Sequence, residues 1–169
     1  MENKGNCLNG GTITIEFTAP RNDIIEVHAY HFKGAVPKGP AFSINRTKAD
    51  VRIEETDKEL VFASGDTSVR ITKHPAPFAM RFYYKETLLT QSLDKALGYA
   101  VYKGKTPYMK EELTLSVGEY VYGLGERFTA FVKNGQSVEI ANRDGGTSSD
   151  QAYKNIPFYL TNRGYGVFT

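Results

Sequence analysis

Three carboxylates in the last third of the chain have surroundings suited to acid–base chemistry. Glu126 follows a glycine-containing turn, while Asp144 and Asp150 lie in a polar segment between apolar stretches. Hydrolysis of a glycosidic bond uses two carboxyl groups roughly 5–9 Å apart, so Glu126 with Asp144 is one candidate pair. The alternative for Glu126 is an ion pair with Arg127 or with a neighbouring strand, and we favour this structural role.

The segment around Asp144 is the stronger candidate for a binding role. It reads Asn142-Arg143-Asp144-Gly145-Gly146-Thr147-Ser148-Ser149-Asp150 and is followed by an apolar return. Polar, glycine-rich loops between apolar strands commonly carry binding groups. On composition alone, a plain turn is the alternative, and the residues themselves leave that choice open.

Metal and phosphate chemistry find little support in the remaining motifs. His28 and His31 are three residues apart in a predicted strand, so they face opposite sides and do not share an ion. Gly123 and Gly125 have no following Lys-Ser or Lys-Thr and no third glycine placed for a dinucleotide turn. We interpret these glycines as allowing a tight backbone path, and we expect no metal and no cofactor.

Charge and cysteine content exclude several classes of partner. The 21 basic and 19 acidic residues leave a formal charge of +2, which provides no electrostatic footprint for nucleic acid. The single cysteine, Cys7, excludes an intrachain disulfide and weakly favours a cytoplasmic protein. No apolar run approaches the ~18 residues of a membrane span, and the first residues lack the apolar stretch of a signal peptide.

The elements that position these residues are predicted to be short β-strands. Hydrophobic residues alternate with period two, and residues 92–99 offer only a short helical turn. Turn pairs at Gly65-Asp66 and Lys85-Glu86 predict hairpins, whereas 103–110 is interpreted as a solvated turn. The predicted strands are 12–17, 24–32, 51–54, 60–63, 67–72, 79–84, 87–90, 112–117, 137–140, 158–161 and 164–169. So many short strands at close spacing predict an all-β sandwich or barrel.

The last part of the chain carries three spaced motifs in a recognisable order. They are Gly123-Leu124-Gly125-Glu126-Arg127-Phe128, then Asn142-Arg143-Asp144-Gly145-Gly146-Thr147, then Tyr153-Lys154-Asn155-Ile156-Pro157-Phe158-Tyr159 with its continuation to Phe168. Together they resemble the end of the N-terminal domain of family 31 glycoside hydrolases, closest to the bacterial α-xylosidase and α-glucosidase branch. The match rich in motifs covers about 118–169, and 11–117 resembles the family mainly in its strand pattern.

The resemblance implies a fold and a division of labour. The fold would be an antiparallel two-sheet β-sandwich of the galactose mutarotase-like supersandwich type, forming a single domain over 1–169 that has been excised from a longer chain. A (β/α)₈ barrel following residue 169 would carry both catalytic aspartates and retain configuration, so this chain would hold no catalytic residue. Its partners would be that barrel and an α-linked oligosaccharide.

The resemblance also assigns the candidate site. Asp144 would bind substrate hydroxyls near the leaving group, and the loop would be shaped by Arg143, Gly145, Gly146 and Thr147. The apolar strand ends at Phe158, Tyr159, Val167 and Phe168 are expected to be exposed where the barrel docks. A homo-oligomer stays open. Two rival functions are a standalone carbohydrate-binding module and a free aldose epimerase, which would need a catalytic His and Glu in the sandwich cleft.

Overall fold

The computed structural model describes residues 11–32, 45–104, 106–142, 152 and 154–169. Twelve β-strands and no helix are assigned among these residues. In chain order the strands are β1 (Thr14–Arg21), β2 (Ile24–Tyr30), β3 (Val51–Glu55), β4 (Glu59–Ser64), β5 (Thr67–Thr72), β6 (Met80–Tyr84), β7 (Thr87–Ser92), β8 (Gly98–Tyr102), β9 (Thr106–Lys110), β10 (Val121–Gly123), β11 (Phe158–Thr161) and β12 (Gly166–Phe168).

Every hydrogen-bonded pair of strands is antiparallel, and each such pair consists of two strands that are consecutive in the chain. The sheets have the orders β1-β2, β3-β4-β5-β6-β7, β8-β9 and β10-β11-β12. The predicted hairpin turns at Gly65-Asp66 and Lys85-Glu86 join β4 to β5 and β6 to β7. Short connections of this kind allow only antiparallel pairing, so the turn residues specify the pairings of β4 with β5 and of β6 with β7.

The main core lies between the β1–β2 hairpin and one face of the five-stranded sheet. Phe62, Val69 and Met80 come from the three central strands and are 7%, 0% and 2% exposed. The ring of Phe17 on β1 lies 6.1 Å from that of Phe62. Partly buried residues around them are Ile15, Ala19, Ile25, Ile71, Phe78 and Phe82. Two antiparallel layers with an apolar interior confirm the predicted all-β sandwich.

The chain divides into two compact units, Met1–Thr114 and Leu115–Thr169. The first contains β1 to β9 and the second contains β10 to β12. The predicted extent of a single domain over 1–169 stays a prediction. Among the residues that the structure describes, no helix is long and apolar enough to cross a membrane.

Some predicted elements are wrong. Residues 112–117 and 137–140 alternate in polarity but form no strand, because alternation alone does not supply a ladder of backbone hydrogen bonds. For the first of these segments, Thr114 N donates to Gln91 O at 3.0 Å. The segment 103–110, predicted as a turn, contains β9. Its lysines and proline hid the strand residues Tyr108 and Met109. The predicted helical turn at 92–99 reduces to a turn followed by the start of β8.

Candidate functional site

The turn that follows β10 is built from backbone conformations that favour glycine. Gly123, Leu124 and Gly125 have φ angles of +112°, +66° and +89°. A Cβ on Gly123 would lie 2.8 Å from the carbonyl oxygen of Phe158, and one on Gly125 would overlap the carbonyl oxygen of Lys154. The two glycines therefore allow the turn to pass directly against the segment before β11. This confirms the predicted tight backbone path.

Backbone and charge contacts hold this turn in place. Leu124 N donates to Phe158 O at 2.9 Å, and Glu126 N donates to Lys154 O at 3.0 Å. The carboxylate of Glu126 also lies 3.0 Å from Lys154 Nζ, with both side chains largely exposed. An exposed ion pair of this kind contributes about 0–1 kcal/mol. The carboxylate is therefore paired, but its partner is Lys154 in the segment before β11 and not Arg127 or a strand residue, as the sequence had predicted.

Arg127 connects three stretches of the second unit. Its Nε donates to Leu124 O at 3.2 Å, and its Nη2 donates to Glu139 O at 2.8 Å. The same nitrogen donates to the side-chain oxygen of Asn155. A guanidinium carries five N–H donors in a fixed plane, so one side chain ties the turn, the segment around 139 and the return at 155 together.

Asn155 in turn joins the two ends of the 143–151 segment. Its Nδ2 lies 2.8 Å from Ala141 O, 2.9 Å from Asn142 Oδ1 and 2.7 Å from Ala152 O. Its backbone N–H donates to Asn142 Oδ1 at 3.1 Å. Asn142 and Ala152 also form an isolated parallel β-bridge. The residues before and after the segment are therefore held against each other at its base.

The loop residues singled out in the sequence lie outside the described residues. These are Asp144 and its neighbours Arg143, Gly145, Gly146 and Thr147. Their assigned roles stay predictions, and the structure describes only the frame that joins them. Arg127 and Asn155 belong to the motifs that carry the resemblance, but the sequence does not indicate that they contact each other.

The histidines are placed as ordinary strand and turn residues. His28 Nε2 lies 3.5 Å from a carboxylate oxygen of Glu26. His31 lies just past β2, hydrogen-bonds to Thr12 O at 2.8 Å, and its ring centroid is 4.3 Å from that of Tyr99. No group of three or more His, Cys, Asp or Glu side chains suited to a metal occurs in the described part of the chain.

A buried carboxylate in the second unit was not singled out by the sequence. Glu119 is 4% exposed, and its Oε2 accepts a hydrogen bond from Ser116 N at 2.7 Å. Arg163 Nη1 lies 4.0 Å away. Burial opposes ionisation, but the hydroxyl of Tyr165, the Ser116 amide and Arg163 together hold the pKa of Glu119 below its usual value. Burial and this negative charge raise the pKa of Tyr159.

A buried lysine organises the loop beside β10. Lys133 is 7% exposed, and its Nζ donates to Thr129 Oγ1 at 3.0 Å and to Ala130 O at 2.6 Å. Its backbone N–H donates to Val121 O at 2.8 Å. The hydroxyl and carbonyl oxygens satisfy the ammonium, and the loop is fixed against the edge of the three-stranded sheet.

One face of the β10–β12 sheet is apolar and open. Tyr122 pairs with Leu160 in the register, and Phe158 with Phe168, which places these four residues on one side of the sheet. The ring of Phe131 lies 5.2 Å from that of Tyr122. Phe131, Leu160 and Phe168 are 78%, 51% and 73% exposed. We call these five residues the apolar face.

The predicted exposure of the strand ends is therefore correct only in part. Phe168 is exposed, whereas Phe158, Tyr159 and Val167 are half-buried. The ring of Phe158 lies over Gly166, where a Cβ would be 2.7 Å from two ring carbons. Tyr159 and Val167 point to the opposite side of the sheet, because adjacent strand residues alternate.

The first unit has a shallow groove of about 390 Å³ on the outer face of the five-stranded sheet. Four of its charged groups form two pairs: Arg70 lies 3.1 Å from Glu86, and Lys85 lies 3.6 Å from Asp66. The guanidinium of Arg70 covers the ring of Tyr83 at 4.4 Å. The groove therefore presents paired charges, and the Tyr83 ring is not free to stack on a sugar.

Comparison with known proteins identifies the family of this chain. A family described as the glycosyl hydrolase 31 N-terminal galactose mutarotase-like domain matches residues 14–169. An α-xylosidase of Lactiplantibacillus pentosus is 45% identical over 98% of this chain and 22% of its own length. An α-xylosidase of Emericella nidulans is 39% identical over 99% of this chain and 24% of its own length. The chain thus spans about a quarter or less of these relatives.

Solved structures show the same fold. A dextranase of glycoside hydrolase family 31 from Flavobacterium johnsoniae superposes with a TM-score of 0.72 at 23% identity, over 96% of this chain and 20% of its own. An α-xylosidase of that family from a soil metagenome superposes with a TM-score of 0.72 at 15% identity, over 90% and 25%. With the family match over residues 14–169, these comparisons show that the chain belongs to the glycosyl hydrolase 31 N-terminal galactose mutarotase-like domain family.

Proposed function

We propose that this chain serves as the N-terminal domain of a longer, retaining α-glycosidase of the α-xylosidase type, which hydrolyses O-glycosidic bonds. The observation that carries the proposal is the 45% identity to an α-xylosidase over 98% of this chain and only 22% of that enzyme. In this proposal the two catalytic aspartates lie on a (β/α)₈ barrel outside the chain, and the chain alone hydrolyses nothing.

The chain contributes to the substrate pocket through Asp144. A carboxylate accepts several hydrogen bonds and can orient neighbouring sugar hydroxyls. The proposal is supported by the contacts at the two ends of the 143–151 segment, which Arg127 and Asn155 join. A rigid base of this kind is what a binding loop needs if it is to hold one side chain in a fixed place.

The barrel docks on the apolar face of the β10–β12 sheet. Phe131 and Phe168 are among the most exposed large apolar side chains of the described residues, at 78% and 73%. Clustered exposed aromatic residues usually mark an interface. Docking there would bury the open side of the three-stranded sheet.

A comparison of this chain with the full-length enzyme tests the proposal. The full-length enzyme should hydrolyse nitrophenyl α-xyloside, whereas this chain should show no turnover and no sugar binding by titration calorimetry. In the full-length enzyme, Asp144→Ala should reduce kcat/KM by an amount equivalent to roughly 1–3 kcal/mol, as for a lost charged hydrogen bond. Asp150→Ala, in the same segment, is the matched control and should leave kcat/KM near the wild-type value.

Two results would overturn this proposal. Turnover by the chain alone that disappears on Asp144→Ala or Glu126→Ala would place the chemistry inside the chain. Micromolar binding of a free sugar by the chain alone would favour the standalone carbohydrate-binding module.

A further inference from the structure

Asn155 makes contacts on both sides of the segment that carries Asp144. Two of its partners, Ala141 and Asn142, precede the segment, and a third, Ala152, follows it. All three partners precede Asn155 in the chain, two of them by 13 and 14 positions and the third by only three. A side chain with such partners closes a loop at its base, which lowers the number of conformations that the loop can adopt.

Arg127 decides which way the Asn155 amide faces. A guanidinium only donates, so the oxygen of the amide is directed to Arg127 and its NH₂ group to the carbonyls of Ala141 and Ala152. The two N–H bonds of the Asn155 side chain thus face three oxygens, which are Ala141 O, Asn142 Oδ1 and Ala152 O. The position requires an acceptor on one side and donors on the other, which an amide supplies and a carboxylate does not.

We propose that Asn155 is a positioning residue that places Asp144 by joining residues 141 and 142 to residue 152. The inference rests on the proposed function, in which Asp144 binds substrate. Asn155 contacts no substrate itself. It sets the separation and direction of the two chain ends from which the binding carboxylate is held, with Arg127 as its support.

The test is Asn155→Asp in the full-length enzyme. Aspartate keeps the size of the side chain and the acceptor for Arg127, but it turns an oxygen toward Ala141 O and Ala152 O. A misplacement of about 1 Å at a positioned group can lower the rate by as much as ~100-fold. We expect kcat/KM for nitrophenyl α-xyloside to fall about 10- to 100-fold, mainly through KM, since binding and not the chemical step is disturbed.

Asn162→Asp is the matched control. Asn162 lies in the same unit, and its side chain accepts from Tyr120 N at 2.9 Å and donates to Gly118 O at 3.0 Å. It therefore has a similar structural role with partners elsewhere. Both variants should lower the melting temperature, but only Asn155→Asp should change kcat/KM. Equal kinetic effects of the two variants would overturn the inference.

A double variant separates positioning from a general loss of structure. If Asn155 acts through Asp144, Asn155→Asp should lower kcat/KM of the Asp144→Ala enzyme by less than about twofold. Effects that multiply would contradict the inference. A silent Asp144→Ala would instead refute the proposed site.

Amide hydrogen exchange measured on this chain needs no substrate. It therefore distinguishes a failure of the inference about Asn155 from a failure of the proposed function. The backbone N–H of residue 155 should exchange faster in the Asn155→Asp variant than in wild type, and at the wild-type rate in the Asn162→Asp variant. Unchanged exchange would refute the role of Asn155.

Discussion

The buried carboxylate of Glu119 offers the sharpest test of how the second unit is held together. Its side chain is fully inaccessible. Its Oε2 accepts a hydrogen bond from Ser116 N at 2.7 Å and lies 4.0 Å from Arg163 Nη1. Glu119→Gln keeps the size of the side chain but removes the charge. It also replaces one acceptor oxygen with a donor in a site where the neighbouring groups already donate.

The magnitude follows from these contacts. Each hydrogen bond to a charged group contributes about 1.5–3 kcal/mol, and a buried polar group without a partner costs about 1–3 kcal/mol. Arg163 is 31% exposed at 4.0 Å, so its attraction adds less, because solvent screens it. Removing the charge also relieves its desolvation. We therefore expect Glu119→Gln to lower the free energy of unfolding by about 1.5–3 kcal/mol.

The dependence on pH has a definite sign. The folded-state pKa of Glu119 is held below the usual value of a glutamate, so the carboxylate stabilises the fold above the unfolded-state pKa. That contribution is lost as the pH falls through the folded-state pKa. The difference between wild type and Glu119→Gln should thus be full at neutral pH and shrink steadily in acid.

Urea unfolding at several pH values, followed by circular dichroism, measures this difference. The chain has 11 tyrosines and no tryptophan, so near-ultraviolet tyrosine signals report tertiary packing. Glu126→Gln is the control, because the carboxylate of Glu126 is 64% exposed and its loss should cost less than about 1 kcal/mol. The reasoning is refuted if the two variants are equally stable at neutral pH, or if the effect of Glu119→Gln does not diminish in acid.

Three further substitutions test other parts of the fold by the same unfolding measurement. Gly125→Ala places a Cβ against backbone and should cost more than about 3 kcal/mol. Gly135→Ala, which has a similar positive φ but open space, should cost about 1 kcal/mol; equal costs would contradict the close approach. Met80→Ala should cost about 2–5 kcal/mol, against less than about 0.5 kcal/mol for the exposed Met109→Ala. Phe168→Ser should leave stability within about 0.5 kcal/mol but reduce binding of a hydrophobic dye, and unchanged dye binding would refute an open apolar face.

Substitutions at the residues that join the ends of the 143–151 segment should differ in effect from a substitution at the proposed binding residue. Changes at Arg127 or Asn155 act on the position of the 143–151 segment, whereas a change at Asp144 acts on the substrate directly. The two kinds of variant should therefore differ in stability. Loss of the hydrogen bonds from the Asn155 side chain to Ala141 O and Ala152 O should lower the melting temperature. Asp144→Ala, in a polar segment, should leave the melting temperature nearly unchanged.

The all-β fold class was predictable because it depends on local alternation of polar and apolar residues and on turn residues. Period-two runs and the pairs Gly65-Asp66 and Lys85-Glu86 correctly predicted most strands of the five-stranded sheet. Alternation misled where a segment makes too few backbone bonds to form a strand, as in 112–117. Charged residues concealed a hairpin at β8 and β9. Pairing is a property of two segments, and neither segment alone reveals it.

The amino-acid sequence by itself determined the all-β class, the glycines of the turn after β10 and, through spaced motifs, the family. Only the tertiary structure decided that Asn155 joins both ends of the 143–151 segment, that Arg127 orients it, and that Glu119 is buried. The physical reason is that the contacts of Arg127 and Asn155 join residues 14 and 28 positions apart. Antiparallel pairing of β10 with β11 brings most of them together, and no local pattern records that register.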